Sequence, residues 1–380
     1  MANVSSSNGI EKRPRLRFPE FSDSYYESTL GEVFEYERPD NYIVFSEKYS
    51  DNYPIPVLTA NQAFVLGYTD ETSGIYGKGP VILFDDFTCD IKYVDFPFKV
   101  KSSAMKLLTP KKEIPIFYAY TLLQHINYKP EGHARHWISI MQPIKVLLPS
   151  HIEQNRISDF LSLVCKRIEK HQTLIEALKK YKRGLLKAVF SREVQFETCS
   201  NWERRLFSEI ATLSKEKYSP KQEENFPCIE LEHLEQQTGH ILGYINSKEQ
   251  NSIKSMFHKG DVLFGKLRPY LQKFAHPDFD GVCSSEIWVF QPFEEIDSSF
   301  LFYLIQTENF IASANISSGT KMPRAEWSKV SKESFFIPGL SEQKRIAHLF
   351  STIDKRIVNA SISLNKLQRL KLGLLQQLFI

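Results

Sequence analysis

Two stretches of the chain place apolar residues at alternating steps of four and three. The first runs through Ile157, Leu161, Val164, Ile168, Ile175 and Leu178, the second through Ile346, Phe350, Ile353, Ile357, Leu364 and Leu367. Such spacing, which continues through Lys182, Leu185 and Val189 and through Lys371, Leu374 and Leu378 and so holds for more than four heptads, marks a helix that lays a narrow seam against another helix rather than a broad face against a globular core. It predicts two long helices, over 149–195 and 338–380, pairing as an antiparallel coiled coil. A helix of ~40 residues is ~60 Å long at 1.5 Å per residue. His171, Lys182 and Lys371 interrupt the seams, and polar residues in that position set register or partner number. Pro149-Ser150 and Pro338-Gly339-Leu340-Ser341 precede the helices, with Ser341 as the candidate N-cap.

Elsewhere the pattern shortens. In 1–148, of which 1–14 is expected to be a flexible lead, and in 196–337, β-like runs such as Pro80–Phe84, Tyr93–Val100, Asp261–Phe264 and Glu286–Phe290 lie between Gly, Pro, Asn and Asp turn signals. A helical patch follows in each, over Ile116–Ile126 and Phe300–Phe310. The expected class is α+β: two small mixed domains, each followed by a long helix.

The two halves are copies of one another. Residues 149–191 align without a gap on 338–380, with 15 identities in 43 pairs, among them Glu153-Gln154/Glu342-Gln343 and Lys182-x-Gly184-Leu185-Leu186/Lys371-x-Gly373-Leu374-Leu375. Thinner matches continue upstream in the same order. Tyr26-Glu27-x-x-Leu30 answers Trp202-Glu203-x-x-Leu206, Leu66-Gly67-Tyr68 answers Leu242-Gly243-Tyr244, and Gly79-x-Val81-Ile82 answers Gly260-x-Val262-Leu263. A tandem duplication accounts for this order.

Charge changes the picture once it is divided along the chain. The total is only +3, but residues 143–193 carry 11 Lys and Arg against 5 Asp and Glu, and 338–380 carry 7 against 2. These segments hold +11 and the remainder −8, a distribution that suits a nucleic-acid or acidic partner as well as solvated helix faces. Five scattered cysteines suggest neither a disulfide framework nor a Cys-x-x-Cys metal site. No uncharged apolar run approaches the ~18 residues of a membrane helix, so no membrane partner is expected and the cytoplasm is the expected compartment.

The alternation of variable domain and long helix resembles the specificity subunits of Type I restriction-modification enzymes over essentially the whole chain. Similar to that family's recurring phrases are Pro80–Thr88 with Lys99–Ser103, Gly260–Tyr270 with Ser284-Ser285-Glu286, and the helix openings Pro149-x-x-x-Glu153-Gln154-x-Arg156-Ile157 and Pro338-x-x-x-Glu342-Gln343-x-Arg345-Ile346. The resemblance implies that each variable domain is a target-recognition domain reading one half of a split site in double-stranded DNA. It further implies that the helices hold the methyltransferase subunits, two in number, and that restriction subunits, helicase-nucleases, join them. S-adenosylmethionine, ATP and magnesium are then expected on those partners, and no cofactor or metal on this chain. Diverged copies imply unlike half-sites.

Base edges are read by Arg and Lys on guanine and by Asn and Gln on adenine, while other Lys, Ser and Thr hold phosphates. The candidates are Asn61, Gln62, Lys78, Lys101, Ser102, Ser103 and Arg135 in the first domain, and Lys266, Arg268, Tyr270, Lys321 and Arg324 in the second. Arg135 and Arg324 match at the same offset as the helices. No catalytic constellation is apparent: there is no Pro-Pro pair of the kind an amino-methyltransferase loop carries, and Gly74-x-x-Gly77-Lys78-Gly79 lacks the Gly-Lys-Ser/Thr ending of a phosphate loop and reads as a turn. Asp90-Ile91-Lys92 is a thin nuclease mimic, and His133-x-x-His136 has no second ligand pair for zinc. A non-catalytic chain is expected. The alternatives are a coiled-coil scaffold or other DNA-binding adaptor outside restriction-modification, in the scaffold case without the salt-dependent DNA binding of a reader, and an enzyme whose site shows no motif, which labelled S-adenosylmethionine would reveal.

Overall fold

The computed structural model describes residues 13–59, 63–111, 113–130, 132, 134–194, 201–220, 224–316 and 322–380. The chain divides into two compact units, Met1–Gln172 with Ile362–Ile380, and Thr173–Ser361.

The first unit contains β1 (Tyr26–Thr29), α1 (Leu30–Val33), β2 (Phe34–Glu37), β3 (Ile55–Leu58), β4 (Val65–Thr69), β5 (Val81–Asp85), β6 (Ile91–Val94), β7 (Lys99–Val100), β8 (Met105–Pro110), α2 (Ile116–Ile126), β9 (Lys145–Leu148) and the start of α3 (His151–Phe190). The second contains β10 (Glu203–Leu206), β11 (Ala211–Leu213), β12 (Lys217–Tyr218), β13 (Pro227–Ile229), β14 (Ile245–Asn246), β15 (Lys254–Phe257), β16 (Val262–Gly265), β17 (Phe274–Ala275), β18 (Gly281–Cys283), β19 (Ile287–Pro292), α4 (Ser298–Leu304), α5 (Glu308–Ala314), α6 (Trp327–Val330), β20 (Ser334–Ile337) and the start of α7 (Leu340–Leu378).

The sheets repeat. A two-stranded β1–β9 ladder answers β10–β20, a four-stranded sheet β2-β8-β5-β6 answers β11-β19-β16-β17, and a small sheet β4-β3-β7 answers the run β14-β13-β18 within a five-stranded one. In both small sheets one pairing is parallel, β3 with β7 and β13 with β18. Strand β5 is buried at every position because both its faces are covered. Ile82 and Phe84 join the core that contains α2, while Val81 and Leu83 join a separate core on the small-sheet side. Strand β16 divides in the same way, with Val262 and Phe264 in one core and Leu263 in the other.

Each unit takes the first part of one long helix and the last part of the other. In the first, Ile157 and Leu161 of α3 share a core with Leu374, Leu375 and Leu378 of α7. In the second, Leu186 and Val189 of α3 share one with Ile346, Phe350 and Ile353 of α7. Within each unit this is an antiparallel pairing. All twelve predicted seam residues are buried or half-buried. Fully burying one such aliphatic or aromatic side chain contributes ~1.5–3 kcal/mol.

The helix starts use the repeated Glu-Gln pair. Gln154 and Gln343 each donate from Nε2 to the carbonyl of the proline five residues back, Pro149 and Pro338, at 2.9 Å in both. Glu153 accepts from Arg17 at 2.9 and 2.7 Å and from the Tyr25 hydroxyl at 3.2 Å. Glu342 accepts from Trp202 Nε1 at 3.2 Å. Helix ends match too: Val194 N donates to Ala188 O at 3.1 Å, and Leu16 N donates to Gln377 O, 189 residues after Ala188, at 2.9 Å.

Four expectations change in detail. Ser341 lies inside the first turn, and Gly339 precedes the helix, its carbonyl accepting from Glu342 N at 2.9 Å. The patch predicted over Phe300–Phe310 is two helices, because the Thr307 hydroxyl donates to Leu304 O and accepts from Phe310 N, ending one and capping the next. Strand register pairs Tyr26 with Leu148 and Glu203 with Ile337, which aligns Trp202 with buried Tyr25 rather than with exposed Tyr26. Core membership likewise aligns Val262 with Ile82, not Val81. A one-residue slip turns a strand's buried face outward, and the pleat decides where short identities cannot.

Candidate nucleic-acid interface

Among the described residues of the second unit, four candidates converge because two loops are stitched together. Lys266 N donates to Glu286 O at 2.9 Å, Ala325 N to Lys266 O at 2.8 Å, and Arg268 N to Pro323 O at 2.8 Å, with Leu267 bridging Arg324. This ladder holds the segment Lys266–Arg268 against Pro323–Ala325, and Tyr270, half-exposed, follows in the turn Pro269–Leu271. Arg268 itself has φ +52°, a left-handed conformation that costs a non-glycine residue of order 1 kcal/mol and is held here by the flanking bonds. Arg324 donates from Nε to Glu286 Oε2 at 3.0 Å. Lys266 and Arg324 line one recess of about 490 Å³ with Trp288, Met322, Ala325, Glu326 and Trp327. Lys321 lies outside the described residues.

The first unit repeats the stitch with other side chains. Asp86 N donates to Ala104 O and His136 N to Asp86 O, both at 3.0 Å, so by hydrogen-bond pattern Asp86 takes the place of Lys266, Ala104 that of Glu286, and Arg135 that of Arg324. Where the second unit has a basic recess, the first buries an ion pair: Asp86 lies 3.1 Å from Lys106, and its Oδ1 accepts from the amides of His136 and Trp137 at 3.1 and 2.8 Å. Arg135, Ser102 and Ser103 are exposed, and the Ser102 hydroxyl caps Ala104 N at 3.0 Å. Lys101 reaches the Tyr49 hydroxyl at 3.2 Å and Glu47 at 3.4 Å, and both partners favour its charged form.

Lys78 sits apart from these, held charged by Tyr42 and by both carboxylate oxygens of Glu37 at 2.9 Å. Its glycine-rich surroundings are two bends, at Ser73-Gly74 and Lys78-Gly79, on either side of Tyr76, which bridges Phe98. Gly74 has φ +61°, and a Cβ there would lie 2.6 Å from Asn41 O. Asn61, Gln62 and His133 lie outside the described residues. His136 is buried against the Asp86 carbonyl at 3.1 Å.

Asp86, Lys106 and Glu286 were missed as site residues. Glu286 closes the quoted phrase Ser284-Ser285-Glu286, but nothing in its spacing names Arg324 as its partner. Among the described residues no group of three or more His, Cys, Asp and Glu side chains could hold a metal ion, and no helix is long and apolar enough to cross a membrane.

Comparison with known proteins gives the arrangement a family. The chain is 47% identical over 126 residues to the EcoR124I/EcoR124II specificity subunit of Escherichia coli, covering 32% of this chain and 31% of that one. It is 27% identical over 266 residues to the EcoDI specificity subunit of Escherichia coli, covering 59% and 60%. These matches span less than two thirds of the relatives' own lengths. The fold is that of the crystallised Type I restriction-modification S subunit from M. genitalium, with a TM-score of 0.65 at 15% identity over 97% of this chain and 99% of the other. The family model for the Type I restriction modification DNA specificity domain matches twice, over residues 23–180 and 200–369, and the chain therefore belongs to that family, carrying two such domains in tandem.

Proposed function

We propose that this chain is the DNA sequence-specificity subunit of a Type I restriction-modification enzyme, and that it acts in the cytoplasm. Each unit reads one half of a bipartite, asymmetric site in double-stranded DNA. The chain scaffolds two methyltransferase subunits and the restriction subunits. Methyl transfer, ATP-driven movement and cleavage belong to those partners, with their S-adenosylmethionine, ATP and magnesium, and this chain performs no chemistry itself. The observation that carries the reading is the doubled specificity domain, whose copies share a stitched loop pair yet place a buried Asp86 and an alanine, Ala104, in one where the other has Lys266 and Glu286. Equal frames with unlike side chains suit two readers of unlike sequences.

The test is methylome sequencing of cells carrying this chain with its methyltransferase subunits, before and after residues 15–148 are exchanged for the equivalent domain of a relative. One half of the methylated motif is expected to change and the other to persist. A change in both halves, or methylation by the chain alone, refutes the proposal.

A further inference from the structure

A guanidinium carries five N–H donors in a planar fork. In the second unit Glu286 occupies Nε of Arg324 at 3.0 Å, so the two Nη groups form the remaining edge for a second acceptor pair. The Arg324 side chain is 49% exposed and Glu286 27%, which leaves the fork open to solvent on one side while the carboxylate holds the other. The backbone beneath is fixed independently: Ala325 N and Arg268 N each donate across the ladder at 2.8 Å, and Glu286 O accepts from Lys266 N at 2.9 Å. The backbone bonds thus set the origin of the fork, and the Nε bond to Glu286 biases its orientation before any ligand arrives. Ordering a long side chain in advance removes an entropy cost from binding, and a fixed fork favours acceptors in a matching pair over a single diffuse charge.

The first unit supplies the contrast. Its two matching bonds place Arg135 where Arg324 stands and Ala104 where Glu286 stands, and an alanine cannot orient a guanidinium. Guanine presents O6 and N7 as adjacent acceptors in the major groove, matched by the bidentate arginine fork. We propose that Glu286 is a positioning residue that fixes Arg324 to read one guanine in the half-site of the second unit. The inference rests on the specificity-subunit reading above.

The experiment uses the chain assembled with its methyltransferase subunits and duplexes carrying the methylated motif, with each position of the second half-site substituted in turn. Its readout is the ratio of kcat/KM on the guanine duplex to that on the same duplex with adenine. Arg324→Lys, which keeps the charge and loses the fork, and Glu286→Ala are each expected to lower this ratio by about 5- to 150-fold, leaving ratios at the other positions and in the first half-site unchanged. Glu286→Gln retains an oxygen to accept from Nε and is expected to restore most of the discrimination, which a merely structural loss would not do. Should Glu286→Ala fail to assemble, Arg324→Lys and Glu286→Gln read the same ratio in a packed site. A second half-site without guanine, an equal loss at every position, as for a phosphate contact, or an unchanged ratio overturns the proposal. Absence of any bipartite methylated motif in the unmutated complex would instead overturn the specificity-subunit reading.

Discussion

Removing the charge of Asp354 is expected to cost the second unit about 3 kcal/mol, while removing both it and its partner costs less. Lys182 projects from the α3 seam with only 8% of its side chain exposed, and its Nζ lies 2.7 Å from Asp354 Oδ1 and 3.0 Å from Gln306 Oε1. The Tyr303 hydroxyl donates to Asp354 Oδ2 at 2.9 Å, and the ammonium lies 5.3 Å from the centre of that tyrosine ring. Burial pulls the Lys182 pKa below its ordinary value against the opposing pull of Asp354. At an effective dielectric of ~20 the pair attracts by ~6 kcal/mol, which roughly offsets several kcal/mol of desolvation for each ion. The net contribution is therefore small, yet a lone buried ammonium is costly, ~3–5 kcal/mol when a buried partner is lost. With Asp354 25% exposed, the lower end applies to Asp354→Asn. Calorimetry on the full chain should show the second unit's transition lowered by ~6–12 °C, at ~2–4 °C per kcal/mol for a unit of this size. The double change Lys182→Met with Asp354→Leu removes the uncompensated charge and should recover part of this loss, leaving ~1–2 kcal/mol because the buried Tyr303 hydroxyl loses its acceptor. The first unit is a built-in control: Lys371 occupies the repeated position, but Cys165 stands where Asp354 would be, so Lys371→Met should move neither transition by more than ~0.5 kcal/mol. Equal damage from the single and double variants would refute the argument that an uncompensated charge, rather than a lost attraction, is what destabilises.

Two further outcomes follow from the helix starts and from a surface histidine. Glu153→Gln removes the charge that accepts two bonds from Arg17 and one from Tyr25, and should lower the first unit's stability by ~1.5–3 kcal/mol, the range for hydrogen bonds to charged groups, read as a shift in the denaturant midpoint. His258 has its pKa raised by its hydrogen bond to Glu216 at 2.9 Å, with Asp280 and Asp261 adding to it, so the stability it supplies is complete below pH ~6.5 and is lost as pH rises through the folded-state value; the midpoint difference between His258→Gln and the unmutated chain should shrink from pH 5.5 to pH 8.5, and a constant difference would exclude protonation as its source.

The long helices were legible because a seam is a one-dimensional feature: Ile157 to Leu178 and Ile346 to Leu367 state their period in sequence order. The duplication was legible for the same reason over 149–191 and 338–380, where no gap disturbs it. Upstream, the sequence matches slipped by one residue at Tyr26 and at Val81, since two or three shared residues cannot outweigh a pleat that needs Tyr25 inside and Ile82 facing α2. The site was legible as a set of residue types and illegible as a constellation. Lys266, Arg268 and Arg324 are candidates from composition alone, but Arg324 meets the other two only through bonds between Pro323–Ala325 and Lys266–Arg268, some 57 residues apart in sequence.

That separation also bears on how two copies of one frame can diverge in what they read. Positions facing the shared cores keep their character, Phe84 matching Phe264 and Ile82 matching Val262, because a changed volume there costs several kcal/mol. Two residues beyond Phe84 and Phe264, the backbone bonds persist through main-chain groups that any side chain can accompany, as Asp86 and Lys266 do. A stitch made of main-chain hydrogen bonds therefore tolerates unlike side chains at its positions. In the first unit Asp86 and Lys106 neutralise each other beneath the surface, whereas in the second Lys266 and Arg324 meet at an open recess floored by Trp288. Placing an aspartate at Lys266 should accordingly leave the second unit folded, with denaturant midpoints within ~0.5 kcal/mol, while weakening DNA binding by the assembled complex. A loss of folding on that change would show that the lysine serves the frame rather than the reading.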